Sequence, residues 1–111
     1  MSTSLTLDTR RSDEGNHVLI AAGEIDLSNV DAFKEVLISA TRESTGDSLT
    51  VDLQAVEYLD SAAINVLCTH ADLIAKVIAH PLLMTVFTIS GLSQLVTVEP
   101  APIPAEPNPA P

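Results

Sequence analysis

The chain has 111 residues, of which 46% are hydrophobic, so it predicts one small domain with a modest core. That core is mostly aliphatic, because there is no tryptophan, one tyrosine and two phenylalanines. The formal net charge of −10, with only five lysine and arginine residues, argues against binding nucleic acid or an anionic membrane surface. One cysteine excludes an internal disulfide, and without a signal peptide or a long apolar run we expect a cytoplasmic protein.

The first half of the chain predicts a β-hairpin, a helix and a third strand. Residues 4–8 alternate between apolar and polar side chains, and residues 17–25 form a second apolar segment after a polar turn. The period then becomes helical, with Ser28 as the candidate N-cap. A polar loop leads to a strand over residues 49–53, whose alternation predicts one buried face.

The second half predicts two more helices and two more strands. An amphipathic helix begins at Ser61, since the apolar residues that follow share one stripe. Residues 76–79 fit either the end of this helix or a short strand, and Pro81 begins a third helix that Gly91 ends. A last strand over residues 95–99 completes the order β-β-α-β-α-β-α-β, which is an α/β fold with one sheet and helices packed on it.

The C-terminal segment has a different composition. From residue 99 the chain reads "EPAPIPAEPNPAP", which holds six of the seven prolines. Proline removes backbone donors and favours an extended polyproline II conformation, so this segment cannot join a packed core. We therefore predict one domain over residues 1–99 and a disordered proline-rich tail over residues 100–111. A ligand for a proline-reading groove is the less favoured interpretation of the tail, because no PxxP lies beside a basic residue.

Motifs of catalysis are missing from the sequence. It has no GxSxG, no P-loop and no GxGxxG. Cys68 and His70 lack a third ligand at a metal-binding spacing, so we expect no metal site, and Cys68 is interpreted as an inert core thiol. Asp52 and Asp60 are two carboxylates near a strand end, but solvated polar residues are the simpler interpretation. We therefore expect a protein that is not an enzyme.

Three segments resemble one known family. "VDLQAVEYLDSAAINVL" (51–67) is similar to the signature of STAS domains, which sulphate transporters and anti-sigma-factor antagonists share, with an Asp-Ser pair that opens a helix. "GEIDLSNVDAFKEVL" (23–37) resembles their second strand and first helix, and "ISGLSQLVTVE" (89–99) their last helix and strand. The likeness is greater to the short bacterial antagonists, and it implies a STAS-type single mixed β-sheet packed with α-helices.

This resemblance implies a regulatory role through protein binding. In the family, the unphosphorylated antagonist binds an anti-sigma factor that is also a serine kinase, and a sigma factor is released. The kinase then phosphorylates the serine after the aspartate, which ends the complex, and a serine phosphatase resets the switch. By this resemblance Ser61 is the phosphorylation site. The expected partner-binding residues are Asp26, Ser28, Asp60, Ala62 and Asn65. The partner kinase would use ATP, so no cofactor is expected on this chain.

Local chemistry alone gives Ser61 a second interpretation, as an N-cap or first-turn residue of its helix. The two roles are compatible, because a residue at a helix start is exposed and lies at the positive end of the helix dipole. At position 63 the chain has alanine where the family usually has glycine. We expect the Ala63 methyl group to limit how closely a partner backbone approaches Ser61.

Other functions stay open at this stage. One is a STAS scaffold or homodimer in a stress-signalling assembly without a working phosphoswitch. It draws support from "LLMTVF" (82–87), which predicts that Leu82, Met84 or Ile89 leaves apolar surface open. A third helix buried within the monomer is the competing interpretation of that segment. The other function is a small-ligand or nucleotide-binding module, or a weak enzyme that uses Asp60 and Ser61.

Overall fold

The alternating apolar segments form one sheet in a computed structural model, which describes residues 4–11, 16–43 and 49–101. Within these residues the sheet has five strands in the order β1-β2-β3-β4-β5. The strands are β1 (Leu5–Arg11), β2 (His17–Ile25), β3 (Leu49–Leu59), β4 (Lys76–Ala79) and β5 (Thr97–Pro100). The α-helices are α1 (Val30–Glu43), α2 (Ser61–Thr69), α3 (Met84–Ser90) and α4 (Leu92–Leu95), with 3₁₀ turns at Ala71–Leu73 and Pro81–Leu83.

The sheet is mixed, as predicted. β1 pairs antiparallel with β2, from Leu5 opposite Gly23 to Arg11 opposite His17, and every later neighbour is parallel. Parallel neighbours need a crossover, and α1, α2 and the α3–α4 pair supply the three crossovers in turn. The predicted element order is therefore confirmed, and residues 76–79 form the strand β4 rather than the end of a helix.

One face of the sheet carries the core. Alternate residues of β2, β3 and β4 are buried, and they join buried side chains from all four helices in one cluster. Full burial of one aliphatic or phenylalanine side chain stabilises the fold by about 1.5–3 kcal/mol. The largest fully buried side chains are Phe33, Phe87, Leu19, Ile25, Leu37, Leu49, Leu53, Leu67 and Leu92.

Strand β3 is longer than the sequence predicts. Expected over residues 49–53, it runs to Leu59, because two bulges let it continue after its alternation is lost. Two residues of β2 lie opposite three of β3 after Asp52, and one lies opposite two after Val56. The bulges turn the buried positions from every second residue to every third. Asp52 is therefore inside the strand, eight residues before Asp60 and roughly 25 Å from it at about 3.3 Å per residue.

The ends of β2 and β3 project beyond the rest of the sheet. β3 pairs with β4 only as far as Leu53, whereas it pairs with β2 as far as Leu59. The projecting part, with the residues that follow each strand, is called here the β2–β3 tip and comprises residues 24–28 and 57–61. Because β2 and β3 are parallel, the loop into α1 and the start of α2 both leave from this tip.

The third predicted helix is divided into a 3₁₀ turn and α3, and the short helix α4 lies beyond its predicted end. Gly91 ends α3 in the left-handed conformation, as predicted, and α4 follows at once. Leu82 and Ile89 are 82% and 81% exposed, so these two leave apolar surface open, whereas Met84 is half-buried against the core. Self-association through this surface stays a prediction. None of the helices in the described residues has the length and hydropathy needed to cross a membrane.

The ordered domain extends past the predicted boundary at residue 99. Pro100 belongs to β5, and Ala101 is buried, with its N–H donating to the carbonyl of Ala79 at 2.7 Å. The assignment of these two residues to a disordered tail was therefore wrong. The rest of the predicted tail, residues 102–111, lies outside the described residues, and its disorder stays a prediction.

Two truncations test this boundary. Removal of residues 102–111 should leave the melting temperature unchanged, because a proline-alternating segment has no apolar face to bury. Removal of residues 100–111 also takes the Ala101 hydrogen bond and methyl group, so it should cost about 1–2 kcal/mol and lower the melting temperature by several degrees. Thermal denaturation by circular dichroism distinguishes the two. A lower melting temperature for the shorter truncation would mean that residues 102–111 pack on the domain.

Gly23 allows the chain at the start of β1 to approach β2 closely. It has a φ of 104°, and a Cβ atom there would overlap the carbonyl oxygen of Ser4, which accepts a hydrogen bond from the Glu24 N–H at 3.0 Å. Gly91 has a φ of 86° but open space around the position of a Cβ. Both glycines thus relieve backbone strain, and only Gly23 also prevents a steric overlap.

The two glycines make a matched pair for a stability measurement. Gly91→Ala should destabilise the protein by about 1–2 kcal/mol through its backbone conformation alone. Gly23→Ala adds the overlap with Ser4 and should cost about 2–5 kcal/mol. Denaturation in urea measures both. An equal loss for the two variants would contradict the close approach of β1 to Gly23.

Candidate functional site

Asp60 is the N-cap of α2. Its Oδ1 accepts hydrogen bonds from the N–H groups of Ala62 at 3.0 Å and Ala63 at 3.1 Å, and its own carbonyl accepts from Ile64. A carboxylate is among the best N-caps because it satisfies amides that the helix leaves without partners. Asp60 thus takes the capping role that local chemistry offered to Ser61, and Ser61 is the first residue inside the helix.

The same carboxylate fixes the loop that leads into α1. Its second oxygen, Oδ2, accepts the backbone N–H of Leu27 at 3.0 Å, which joins positions 33 residues apart. The Asp60 N–H donates to the carbonyl of Ile25 at 3.1 Å. Asp60 therefore ties the end of β2, the loop after it and the start of α2 into one unit.

The loop of residues 26–29 has its own set of hydrogen bonds. Asp26 Oδ1 accepts from the N–H of Ser28 at 2.9 Å and from its hydroxyl. Asn29 Oδ1 accepts from the Asp26 N–H at 2.9 Å, and its Nδ2 donates to the carbonyl of Glu24 at 3.0 Å. Asp26 and Asn29 thus form a compact turn with little freedom to move.

The expectation that Ser28 caps α1 was wrong. The helix begins at Val30. The Ser28 hydroxyl donates a hydrogen bond to Asp26 and does not accept one from a helix amide. Ser28 is nevertheless exposed on the β2–β3 tip, close to the other predicted partner-binding residues. Asp26 and Asn29 hold the loop in its turn.

Ser61 is exposed, and its hydroxyl forms no hydrogen bond with any of the described residues. The first free amides of the helix, those of Ala62 and Ala63, are bound by Asp60. The Ser61 oxygen is therefore accessible and not needed for capping. An exposed hydroxyl on a rigid helix start can accept a phosphoryl group from an enzyme without local unfolding.

The remaining predicted residues lie around Ser61 on α2. Asn65 is exposed one helical turn after Ser61, so the two side chains share a face, and Ala62 is half-buried beside them. Ala63 is fully buried, with its methyl group in the core. The expectation that this methyl group limits a partner's approach was therefore wrong, because it points away from the surface.

Two exposed apolar side chains belong to this site and were missed from the sequence. Leu27 is 77% exposed, and Tyr58 is 51% exposed on the end of β3. Leu27 stands between Asp26 and Ser28 in a polar loop, where an isolated large apolar residue is the signal that identifies it. Tyr58 was hidden because residues 54–58 were not assigned to a strand.

The other residues considered for chemistry do not gather at one place. The His70 Nδ1 is 2.9 Å from the carbonyl of Val66, Asp52 accepts from the N–H of Gln54 at 3.0 Å, and Cys68 is half-buried. Among the described residues, no three histidine, cysteine or acidic side chains meet in a group that would hold a metal ion.

Comparisons with known proteins agree on a fold. A family model described as "Mlab, STAS domain" matches residues 9–97. An anti-sigma factor antagonist from Mycobacterium paratuberculosis is similar in structure, with a TM-score of 0.76, 23% identity and coverage of 86% of each chain. No match to an individual curated protein was found.

The anti-sigma factor antagonist SpoIIAA is similar to this chain in two solved forms. The unphosphorylated form has a TM-score of 0.67 at 15% identity, and the match covers 87% of this chain and 89% of SpoIIAA. The phosphorylated form, from Bacillus, has a TM-score of 0.62 at 15% identity, with coverage of 87% and 92%. These likenesses establish a shared fold.

Substitution of Asp60 tests its double role. Asp60→Ala removes the cap and the bond to the Leu27 N–H, so we expect a loss of about 1–3 kcal/mol in the free energy of unfolding. Asp60→Asn keeps one acceptor oxygen for the helix amides but places an NH₂ group opposite the Leu27 N–H. Its loss of stability should therefore be smaller than that of Asp60→Ala. Asp72→Ala, which changes an exposed carboxylate after the other end of α2, serves as the control and should change little. Equal stability of Asp60→Ala and the control would contradict the capping role.

Proposed function

The chain belongs to the STAS-domain family, and on that premise we propose that it is an anti-sigma-factor antagonist. In its unphosphorylated form it binds an anti-sigma factor that is also a serine kinase, and this binding releases a sigma factor. Phosphorylation of Ser61 ends the complex, and a serine phosphatase restores it. The protein acts in the cytoplasm by binding rather than by catalysis.

One observation carries this proposal. Ser61 is exposed at the start of α2, its hydroxyl is unbonded within the described chain, and Asp60 has taken over the capping. If Ser61 served only as a helix cap, its hydroxyl oxygen would accept a hydrogen bond from a backbone N–H. The position of Ser61 is instead suited to a hydroxyl that another protein modifies. The similar structures support the role, since they include antagonists and both phosphorylation states of one of them.

A phosphate on Ser61 should change the fold very little. It adds about −1.5 to −2 charge near neutral pH. The positive end of the α2 dipole favours such a charge by about 0.3–1 kcal/mol, and repulsion by the adjacent Asp60 opposes it by a similar amount in an exposed, screened position. The net effect on stability is therefore small.

The interface with the kinase should respond much more strongly. The kinase must bring the γ-phosphoryl group of its ATP to the Ser61 oxygen for transfer in line. A phosphate already on Ser61 would then meet the phosphates of a newly bound ATP. A charge buried in an interface without a partner costs on the order of 3–5 kcal/mol. At about 1.4 kcal/mol per tenfold change, this is a loss of at least a hundredfold in affinity.

Variants of Ser61 test the switch. Ser61→Ala should bind the kinase without being released by ATP, and Ser61→Glu should bind at least tenfold more weakly, because one carboxylate only partly replaces a phosphate. Calorimetry gives the affinities, and thermal denaturation should show equal stability for all of these proteins. Ser93, an exposed serine of α4, is the control, and its alanine and glutamate variants should bind like the wild type.

Mass spectrometry after incubation with the kinase and ATP should place one phosphate on Ser61. Equal affinities for Ser61→Ala and Ser61→Glu would leave Ser61 without a role in the switch. Phosphate on Ser28 or Ser93 instead would move the switch to another place.

A further inference from the structure

Leu27 has an unusual combination of an exposed side chain and a fixed backbone. Its side chain is 77% exposed, whereas its N–H is bound by Asp60 Oδ2 at 3.0 Å. The residues beside it are held as well, since Ser28 donates twice to Asp26 and Asn29 is bonded at both ends of its amide. Because the backbone at Leu27 is already ordered, little further backbone entropy is lost when a partner covers the side chain. The preorganised backbone therefore suits Leu27 to a protein interface, because it lowers the cost of ordering on binding.

Tyr58 extends the apolar surface onto the sheet. It lies opposite Glu24 in the parallel pairing of β2 and β3, and half of its surface is exposed. Tyrosine combines a large apolar ring with a polar end and is enriched at protein interfaces. Leu27 and Tyr58 thus place two large apolar side chains on the same tip as Ser61.

The charges around these two residues have one sign. Residues 24–31 and 57–65 contain five acidic side chains and neither lysine nor arginine. In the described chain, the ion pairs that form join Arg10 to Asp8 and Lys76 to Glu99, both away from the tip. Among the described residues, no ion pair involves Glu24 or Glu57, so this side of the tip has a negative potential. The five acidic residues are Glu24, Asp26, Asp31, Glu57 and Asp60.

We propose that Leu27 is the apolar anchor of the contact with the anti-sigma factor, and that the partner covers it with an apolar pocket bordered by lysine or arginine side chains. This inference rests on the proposed function and assigns a residue and a partner chemistry to it. The cations would lie opposite Glu24 and Glu57, on the sheet side of the tip. The nucleotide phosphates of the kinase would lie opposite Ser61, on the helix side, so attraction and phosphate-dependent release use different parts of one surface.

The anchor is tested by Leu27→Ala against Ile89→Ala. Ile89 is 81% exposed in the last turn of α3, which leads away from the tip toward the start of β5, so the two substitutions remove similar exposed apolar groups. The probe is the purified anti-sigma serine kinase of the source bacterium that binds the wild-type chain. Every protein in this comparison carries Ser61→Ala, which prevents phosphorylation, and Ser61→Ala alone is the parent. Leu27→Ala should weaken binding by about thirtyfold, the effect of a strong interface residue. Ile89→Ala should stay within twofold of the parent, and both should melt at its temperature.

The cationic border is tested by the rate of association. The double variant Glu24→Gln and Glu57→Gln should associate several-fold more slowly than the parent at low salt, with a smaller difference at high salt. Glu35→Gln combined with Asp72→Asn changes the net charge by the same amount at other exposed positions and should associate like the parent.

The outcomes separate this inference from the function on which it rests. If none of the bacterium's anti-sigma kinases binds the wild-type chain, the proposed function fails and the anchor fails with it. If a kinase binds and Ser61 controls the complex, but Leu27→Ala binds as tightly as Ile89→Ala, the function stands and the anchor is overturned. If the two charge variants associate at the same rate, the cationic border is overturned.

Discussion

The carboxylate of Asp60 is the interaction on which this site depends. Both of its oxygens are used, one by the first amides of α2 and the other by the N–H of Leu27, across 33 residues of sequence. A neutral amide has only one acceptor oxygen and cannot replace both. The ordinary requirement of a helix for an N-cap therefore also sets the position of a distant loop. As a result, the Ser61 hydroxyl and the Leu27 side chain, both exposed at the tip, are fixed relative to each other.

Sheet topology explains why this surface projects instead of forming a pocket. In open parallel sheets, small ligands bind where the strand order reverses and neighbouring crossovers lie on opposite faces. Here the order β1-β2-β3-β4-β5 has no reversal, and the helices share one core on one face of the sheet. Right-handed crossovers that each add the next strand on the same edge of the sheet place their helices on the same face. The bulges of β3 then extend its end past β4. A projecting tip of this kind suits a protein partner better than a nucleotide or another small ligand.

Much of the fold could be predicted from local patterns, and the failures have physical causes. The bounds of β2, the hairpin, the left-handed end of α3 at Gly91 and the Asp-Ser start of α2 were all predictable, because each depends on neighbours in sequence. The length of β3 was not, because its bulges replace the period of two by a period of three. The bond from Asp60 to Leu27 was not predictable either, since it depends on a parallel pairing that brings two loops together. Ala63 is buried because it lies four residues before Leu67, on the face of α2 that packs in the core.

Asp60 also explains how a phosphate at Ser61 could act on an interface and leave the fold unchanged. A phosphate at a helix start normally finds unpaired amides, and it would then form part of the helix cap. In this chain the amides of Ala62 and Ala63 are already bound by a carboxylate with the same sign of charge. A phosphate on Ser61 would therefore not replace the cap and would stay at the surface, one helical turn from the exposed Asn65. Its charge would then act on a protein that approaches the tip, so a modification nearly neutral for stability could still decide binding.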